Sequence, residues 1–281
     1  MAANRSASRR GARHGGVSMG THRTEAIVLR THRLGEADRI VELLTPGEGI
    51  VRAVAKGVRK STSRFGALVE PFMHSTLQLA RGRGELQTVT QGQLLHPYGQ
   101  TLAADYEAYA AAAALAEAVE RITAVDDDGR RAQFRLLHGA VSALARGAHE
   151  PRMIVLSFLL RSLTQAGWAP TFSDCARCGA PGPHDALNVA VGGAVCPRCR
   201  PPGSAHPAPE TFALLTALTA GNWAVVDAAV PTARREAAGI VSAYLQFHTD
   251  RRLVALAVLD QEIAAPGRRV PASAPGAERR P

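Results

Sequence analysis

The 281-residue sequence predicts an α+β protein: a small antiparallel β-barrel followed by an all-helical region that is interrupted by a cysteine-bearing insert. Three observations carry this. Residues 24–95 alternate polar and apolar positions in short runs between Gly and Pro turns, residues beyond Pro97 repeat apolar positions every three or four, and all four cysteines fall between 175 and 199. Aromatics are only 5% of the chain and Ala is abundant, so its helices pack through small side chains.

In the barrel, "TEAIVLRTHRLG" and "ADRIVELLTPGEG" each give a strand, the second ending in the turn Pro46-Gly47-Glu48-Gly49. "IVRAVAKGV" follows, with Ile50, Arg52, Val54 and Lys56 on one face and Val51, Ala53 and Ala55 on the other. "EPFMHSTLQLARGRGELQTVTQGQLL" reads as a hairpin: Met73, Ser75, Leu77 and Leu79 alternate against His74, Thr76 and Gln78, Arg81 to Gly84 turns, and Leu86 to Leu94 returns. Five strands without a long intervening helix match the size of an OB-fold barrel; an open SH3-like barrel fits the same pattern.

After Pro97 the period changes. "TLAADYEAYAAAAALAEAVERIT" sets Leu102, Tyr106, Tyr109, Ala113, Ala116 and Val119 on one apolar stripe, and Asp126-Asp127-Asp128-Gly129 ends that unit. "RRAQFRLLHGAVSALARG" is a second helix. "PRMIVLSFLLRSLTQAGW" is a third, opened by Pro151, closed by Gly167 and apolar nearly all round, as the centre of a bundle must be. "APETFALLTALTAG" and the segment from Pro231 to about Asp260 complete the set. The expected layout is therefore a disordered basic arm at 1–20, an OB-fold at 21–98, a helical domain at 99–170 and 205–264, an insert at 171–204 and a disordered tail at 265–281. The arm carries Arg5, Arg9, Arg10 and Arg13 with no apolar block behind them, which excludes a secretory signal; Met19 is a candidate start. No run of 18 apolar residues occurs, so no membrane partner and a cytoplasmic, nucleoid-associated location are expected.

The insert reads Cys175-x2-Cys178, then Cys196-x2-Cys199. Two such knuckles predict one tetrahedral structural Zn²⁺ per chain, because each places two thiolates on one side of the ion. Four thiolates close the coordination sphere, which is the pattern of a structural site. Disulfides fit poorly without secretion, and a redox motif needs only one pair. "ALNVAVGGAV" between the knuckles can form a short ribbon. His184 and His206 are reserve ligands, and Arg177, Arg198 and Arg200 are possible phosphate contacts.

No enzymatic activity is expected. "GVRKSTS" lacks both glycines of a phosphate-binding loop, no metalloprotease or nucleophile-elbow motif occurs, and the acidic triplet at 126–128 reads as a solvated loop. Charge points to binding instead. The net charge is +9, and residues 1–100 hold 15 Lys/Arg against 7 Asp/Glu, so nearly all the excess is there. Polyanions are the natural partners of such a segment.

Both lysines of the chain lie in "AVAKGVRKSTSRFGALVEPF", as Lys56 and Lys60, beside Arg52, Arg59 and Arg64. A strand end running into a polar loop of mobile cations, hydroxyls and free N–H groups suits a phosphate backbone. Arg81 and Arg83 in the hairpin turn are candidates to extend the patch. Phe65 and Phe72 are the only rings of Phe, Tyr or Trp between Thr21 and Leu95, and Phe72 alternates into a strand interior. The expected mode is phosphate-dominated and indifferent to sequence, leaving bases free to pair.

Taken together, "EAIVLRTHRLGEADRIVELLTPGEGIVRAVAKGVRKSTSRFGALVEPF", the helical region and the cysteine knuckles resemble the bacterial RecO family of DNA repair proteins over residues 22–262. The resemblance implies binding of single- and double-stranded DNA, annealing of complementary strands, and work with RecR and RecF to load recombinase onto strands coated by single-stranded-DNA-binding protein. It places the DNA-contacting loop at Lys56, Arg59 and Lys60. It also implies an apolar groove on the helical domain for the acidic, Phe-ended tail of single-stranded-DNA-binding protein, with Arg161, Arg251 and Arg252 as possible rims. The alternatives are a zinc-ribbon OB-fold RNA-binding module and, disfavoured by the closed thiolate set, a zinc nuclease.

Overall fold

The computed structural model describes residues 20–60, 63, 65–82, 84–122 and 127–249. The expected arm and tail, together with Arg64, Arg83, Arg251 and Arg252, lie outside the described residues.

Five strands close a barrel: β1 (Thr21–Leu34), β2 (Asp38–Thr45), β3 (Gly49–Ala55), β4 (His74–Ala80) and β5 (Gln87–His96), in the order β1-β2-β3-β5-β4. Only the β3–β5 pairing, with Ala53 opposite Gln87 and Ala55 opposite Val89, is parallel. This closed topology is OB-like, which removes the SH3-like alternative. The alternation read from sequence holds, with Val51, Ala53 and Ala55 on β3 and Leu77 and Leu79 on β4 filling the barrel beside Met73. One strand departs from simple alternation. Ala26 to Leu29 on β1 are buried on both faces, because Ala26 and Val28 enter the barrel while Ile27 and Leu29 join the helical core. Such a strand is shared by two layers and ties them together.

The helices are α1 (Tyr98–Leu102), α2 (Tyr106–Arg121), α3 (Asp127–Ala145), α4 (Pro151–Gln165), α5 (Pro209–Ala220), α6 (Trp223–Asp227) and α7 (Pro231–Thr249). The first helical unit expected from sequence is in fact two. Asp105 breaks it and caps α2, its carboxylate accepting the Ala108 N–H at 3.1 Å. The expected stripe is borne out in part: Leu102, Ala116 and Val119 are buried, but Tyr106 and Tyr109 are exposed, while Ala108, Ala111, Ala112, Leu115 and Ala118 are buried beside them. Alanines admit close approach from several sides, so spacing alone did not choose the face. The helix α3 opens at Asp127, so that part of the expected acidic loop is helix, and Asp126 lies outside the described residues. As expected, α4 is the bundle centre, buried continuously from Met153 to Leu160. Phe72 is buried but lies in the turn before β4 and packs with the helical core, its ring edge-on to Tyr109 at 5.2 Å, and not in a strand interior.

The insert contains the ribbon β6 (Ala186–Asn188) and β7 (Gly193–Val195). Phe172, Leu187 and Ala194 carry its base into the helical core. An added Cβ at Gly193, which sits at φ +139°, would lie 2.0 Å from the Thr171 carbonyl, so only glycine lets the two backbones meet there.

Candidate nucleic-acid interface and metal centre

The four cysteine sulfurs lie within 4.8 Å of one another. Cys178 Sγ and Cys196 Sγ are 3.9 Å apart. Four thiolates about 2.3 Å from a common tetrahedral centre would be separated by about 3.8 Å, so the cluster fits a metal ion without rearrangement. The backbone shapes both knuckles alike. Gly179 N–H donates to the Cys175 carbonyl at 2.8 Å, Arg200 N–H to the Cys196 carbonyl at 3.0 Å, and Gly179 takes φ +70°. The Cys196 N–H points at Cys175 Sγ and pulls that thiol down to about 6, whereas the surrounding thiols push Cys199 up to about 12. Four sulfurs this close cannot all ionise unless a cation is shared between them. His184 and His206 are not part of the set, since they bond to the carbonyls of Ala180 and Asp185. Arg177 and Arg198 are exposed, and Arg200 lies 3.7 Å from the Asp185 carboxylate.

At the barrel, the loop after β3 turns at Gly57, which adopts φ +66° and donates its N–H to the Asp38 carboxylate at 2.8 Å. Arg59 is bound twice to the turn between β1 and β2, its N–H to Ala37 and its guanidinium to the Gly35 carbonyl. Lys56 and Lys60 are exposed on the same loop and, among the described residues, pair with no carboxylate. The structure therefore brings Lys56, Arg59 and Lys60 together at one mouth of the barrel. Arg52, two residues back, is exposed but lies 3.5 Å from Glu42. Arg81 is elsewhere: its guanidinium lies 3.3 Å from Glu48, at the opposite end of β3.

One cation in this region escaped the sequence reading. Arg33 at the end of β1 stands opposite Arg39, which in turn stands opposite Ala55, so Arg33 is two strands from the lysine loop. Arg39 pairs with Glu70 at 2.7 Å, whereas Arg33 is exposed and carries no carboxylate partner among the described residues. The signal was the Arg-Leu-Gly turn itself, which places its arginine beside whatever follows the third strand of a barrel. Glu36 is exposed in the same turn and lowers the local charge. Phe65 is partly buried against the barrel core and Phe72 is buried, so the described barrel exposes no large ring.

A groove runs between α3, α4 and α6. Its floor is Leu136, Ile154, Phe158 and Trp223, and Arg135, Arg146 and Arg161 stand along it. Trp223 stacks on His149 at 4.1 Å, and His149 is held by Asp227. No helix of the described residues is long and apolar enough to cross a membrane.

Comparison with known proteins agrees with this layout. Residues 19–98 match the family model for the Recombination protein O N terminal, and residues 103–257 match that for the Recombination protein O C terminal. The chain is 51% identical over 243 residues to a DNA repair protein RecO of a Nocardioides species, covering 85% of this chain and 99% of the relative. It is 48% identical over 243 residues to that of Thermobifida fusca, covering 86% and 100%. It is 47% identical over 249 residues to that of Streptomyces coelicolor, again covering 86% and 100%. The relatives are named for DNA repair and not for a reaction, in keeping with the non-catalytic reading of the sequence. With both family models matched across the barrel and the helices, the chain belongs to the RecO family of DNA repair proteins.

Proposed function

We propose that this chain is a recombination mediator that grips single- and double-stranded DNA by its phosphates and anneals complementary strands. The carrying observation is the pairing state of the cations: among the described residues, Lys56 and Lys60 are exposed without carboxylate partners, on a barrel whose described part offers no large exposed ring for stacking. A loop of point charges follows a backbone without reading it, and bases that stack on nothing remain free for a second strand. In this reading Lys56, Arg59 and Lys60 form the centre of the contact and Arg33 and Arg52 flank it; Arg64 and Arg83, contacts expected from the sequence, lie outside the described residues. Arg81 contributes least, being offset by Glu48.

The cysteine cluster is proposed to hold one structural Zn²⁺. Sulfur spacing and an all-thiolate donor set support it. When bound, the ion would hold all four sulfurs as thiolates, offset two of their four negative charges, and tie the two knuckles of the insert together. RecR, RecF and the tail of single-stranded-DNA-binding protein are proposed as partners. For that acidic, Phe-ended tail the groove between α3, α4 and α6 is the best fit, offering an apolar floor for a ring and Arg135, Arg146 and Arg161 for carboxylates.

The decisive experiment is annealing of complementary strands by the purified chain, without nucleotide, beside Lys56→Ala/Lys60→Ala. The double variant gives up its grip on roughly two phosphates, so annealing should slow by at least about tenfold. Unchanged annealing by a folded double variant overturns the reading.

A further inference from the structure

Where the barrel meets the bundle, three histidines from three different elements converge. His74 opens β4, His96 closes β5 directly opposite it, and His138 comes from the middle of α3. One nitrogen from each lies within 4.8 Å of the other two. Their rings are packed together, with centroids 5.4 Å apart for His74 and His96, 4.6 Å for His74 and His138, and 6.0 Å for His96 and His138. We propose that His74, His96 and His138 form a second transition-metal site, binding Zn²⁺ or a similar borderline cation and clamping the barrel to α3.

The strongest independent observation is His74 itself. It is 3% exposed, and neither of its ring nitrogens is satisfied by a hydrogen bond. The Glu25 carboxylate lies 3.4 Å from His74 Nε2, close enough to attract but not aligned as an acceptor. A buried imidazole left unsatisfied is costly, and a metal ion is a partner that accepts a nitrogen lone pair where no donor is present. Imidazole is the commonest protein ligand for these cations, and neutral rings are the ligating form. The outer contacts are of the kind that orient a ligand: the Tyr98 hydroxyl is 3.2 Å from His138 Nε2, and the Tyr98 ring stacks on His96 at 5.1 Å. Three nitrogens leave a fourth position for water, which distinguishes this site chemically from the closed thiolate set. Because the ligands come from two neighbouring strands and one helix, occupancy would link the barrel and the bundle.

The test uses the tag-free full chain already loaded with one equivalent of zinc, titrated with Co²⁺. A second equivalent should bind and give visible ligand-field bands without the sulfur-to-metal charge-transfer absorption that thiolates produce. His96→Gln, at an exposed position, should lose that second equivalent and keep the first. His138→Gln should do the same. Cys178→Ser should instead impair the first while keeping the second. In thermal melts, added Zn²⁺ should raise the midpoint of the zinc-loaded wild type and leave that of His96→Gln unmoved. A zinc-loaded wild type that takes up no further metal, or a second equivalent that survives both histidine variants, overturns the proposal.

Discussion

The Asp38 carboxylate accepts the N–H of Gly57 at 2.8 Å, so the start of β2 holds the turn that separates Lys56 from Lys60. This gives a prediction with two opposed signs. Removing Asp38 raises the net positive charge, and charge alone would tighten DNA binding. If the loop must be held in place to follow a phosphate backbone, Asp38→Ala should instead weaken binding several-fold and cost roughly 1 kcal/mol of stability. Fluorescence anisotropy with a labelled single strand, beside a urea melt, reads both quantities. Tighter binding by a folded Asp38→Ala would show that loop geometry does not matter.

Salt dependence separates contacts from bystanders. If about five cations meet phosphates, log K against log salt should slope by about −3.5 on single strands and about −4.5 on duplex. Each of Lys56→Ala, Lys60→Ala and Arg33→Ala should flatten the single-strand slope by about 0.7. Arg81→Ala should leave it nearly unchanged, because Glu48 already offsets that charge at the far end of β3. Equal effects at Arg81 and Lys56 would contradict the placement of the interface.

Much of this architecture was legible in the sequence because its signals are local. Strict alternation on β3 and the paired cysteine knuckles each depend on residues a few positions apart. What escaped was set by neighbours distant in sequence. The buried face of α2 is chosen by what packs on an alanine-rich surface, and α1 ends at Leu102 and Asp105 caps the next helix within a stretch whose period continues unbroken. Arg33 and Lys56 are 23 residues apart, and only the pairing of β1 with β2 and of β2 with β3 makes them neighbours. The three histidines at 74, 96 and 138 have no spacing that could announce them.

The junction between barrel and bundle depends on one small residue. An added Cβ at Gly99 would sit 2.1 Å from the Pro71 carbonyl oxygen, which is backbone and cannot rotate away. Gly99→Ala should therefore force α1 off the Pro71 turn and cost at least about 2 kcal/mol. Gly239→Ala, on α7 with nothing within 4 Å of the added carbon, should stabilise by about 0.5–1 kcal/mol. Urea midpoints of the two variants should move in opposite directions.

The proposed zinc site can be tested without touching a ligand. Gly193→Ala leaves all four thiols in place but drives a methyl group into the Thr171 carbonyl, separating the ribbon from the strand segment that leads to Cys175. Zinc should transfer to a competing chelator at least about tenfold faster than from the wild type. Because Phe172, Leu187 and Ala194 lie in the helical core, metal loss should also lower the thermal midpoint of the helices, followed by circular dichroism. Unchanged release from Gly193→Ala would mean the ribbon does not position the knuckles.

Glu236 on α7 holds the start of α5, its carboxylate accepting the Thr211 hydroxyl at 2.6 Å and the Ala208 N–H at 3.1 Å. Those two bonds, the hydroxyl first, lower its pKa from the usual value near 4.5. A carboxyl whose folded pKa lies below its unfolded one stabilises the fold above the unfolded value. That contribution is lost as pH falls through the folded value. Stability should therefore decline with acid below about pH 4.5, through the range in which this carboxylate gains its proton. Glu236→Gln keeps an acceptor oxygen but has no charge to lose, so its stability at neutral pH should fall modestly and its acid slope should flatten. Thr211→Val removes the larger cause of the shift and should move the acid transition toward higher pH. Denaturant midpoints measured from pH 7 to pH 3 decide it, and identical acid slopes in the wild type and Glu236→Gln would show that this cap does not couple protonation to folding.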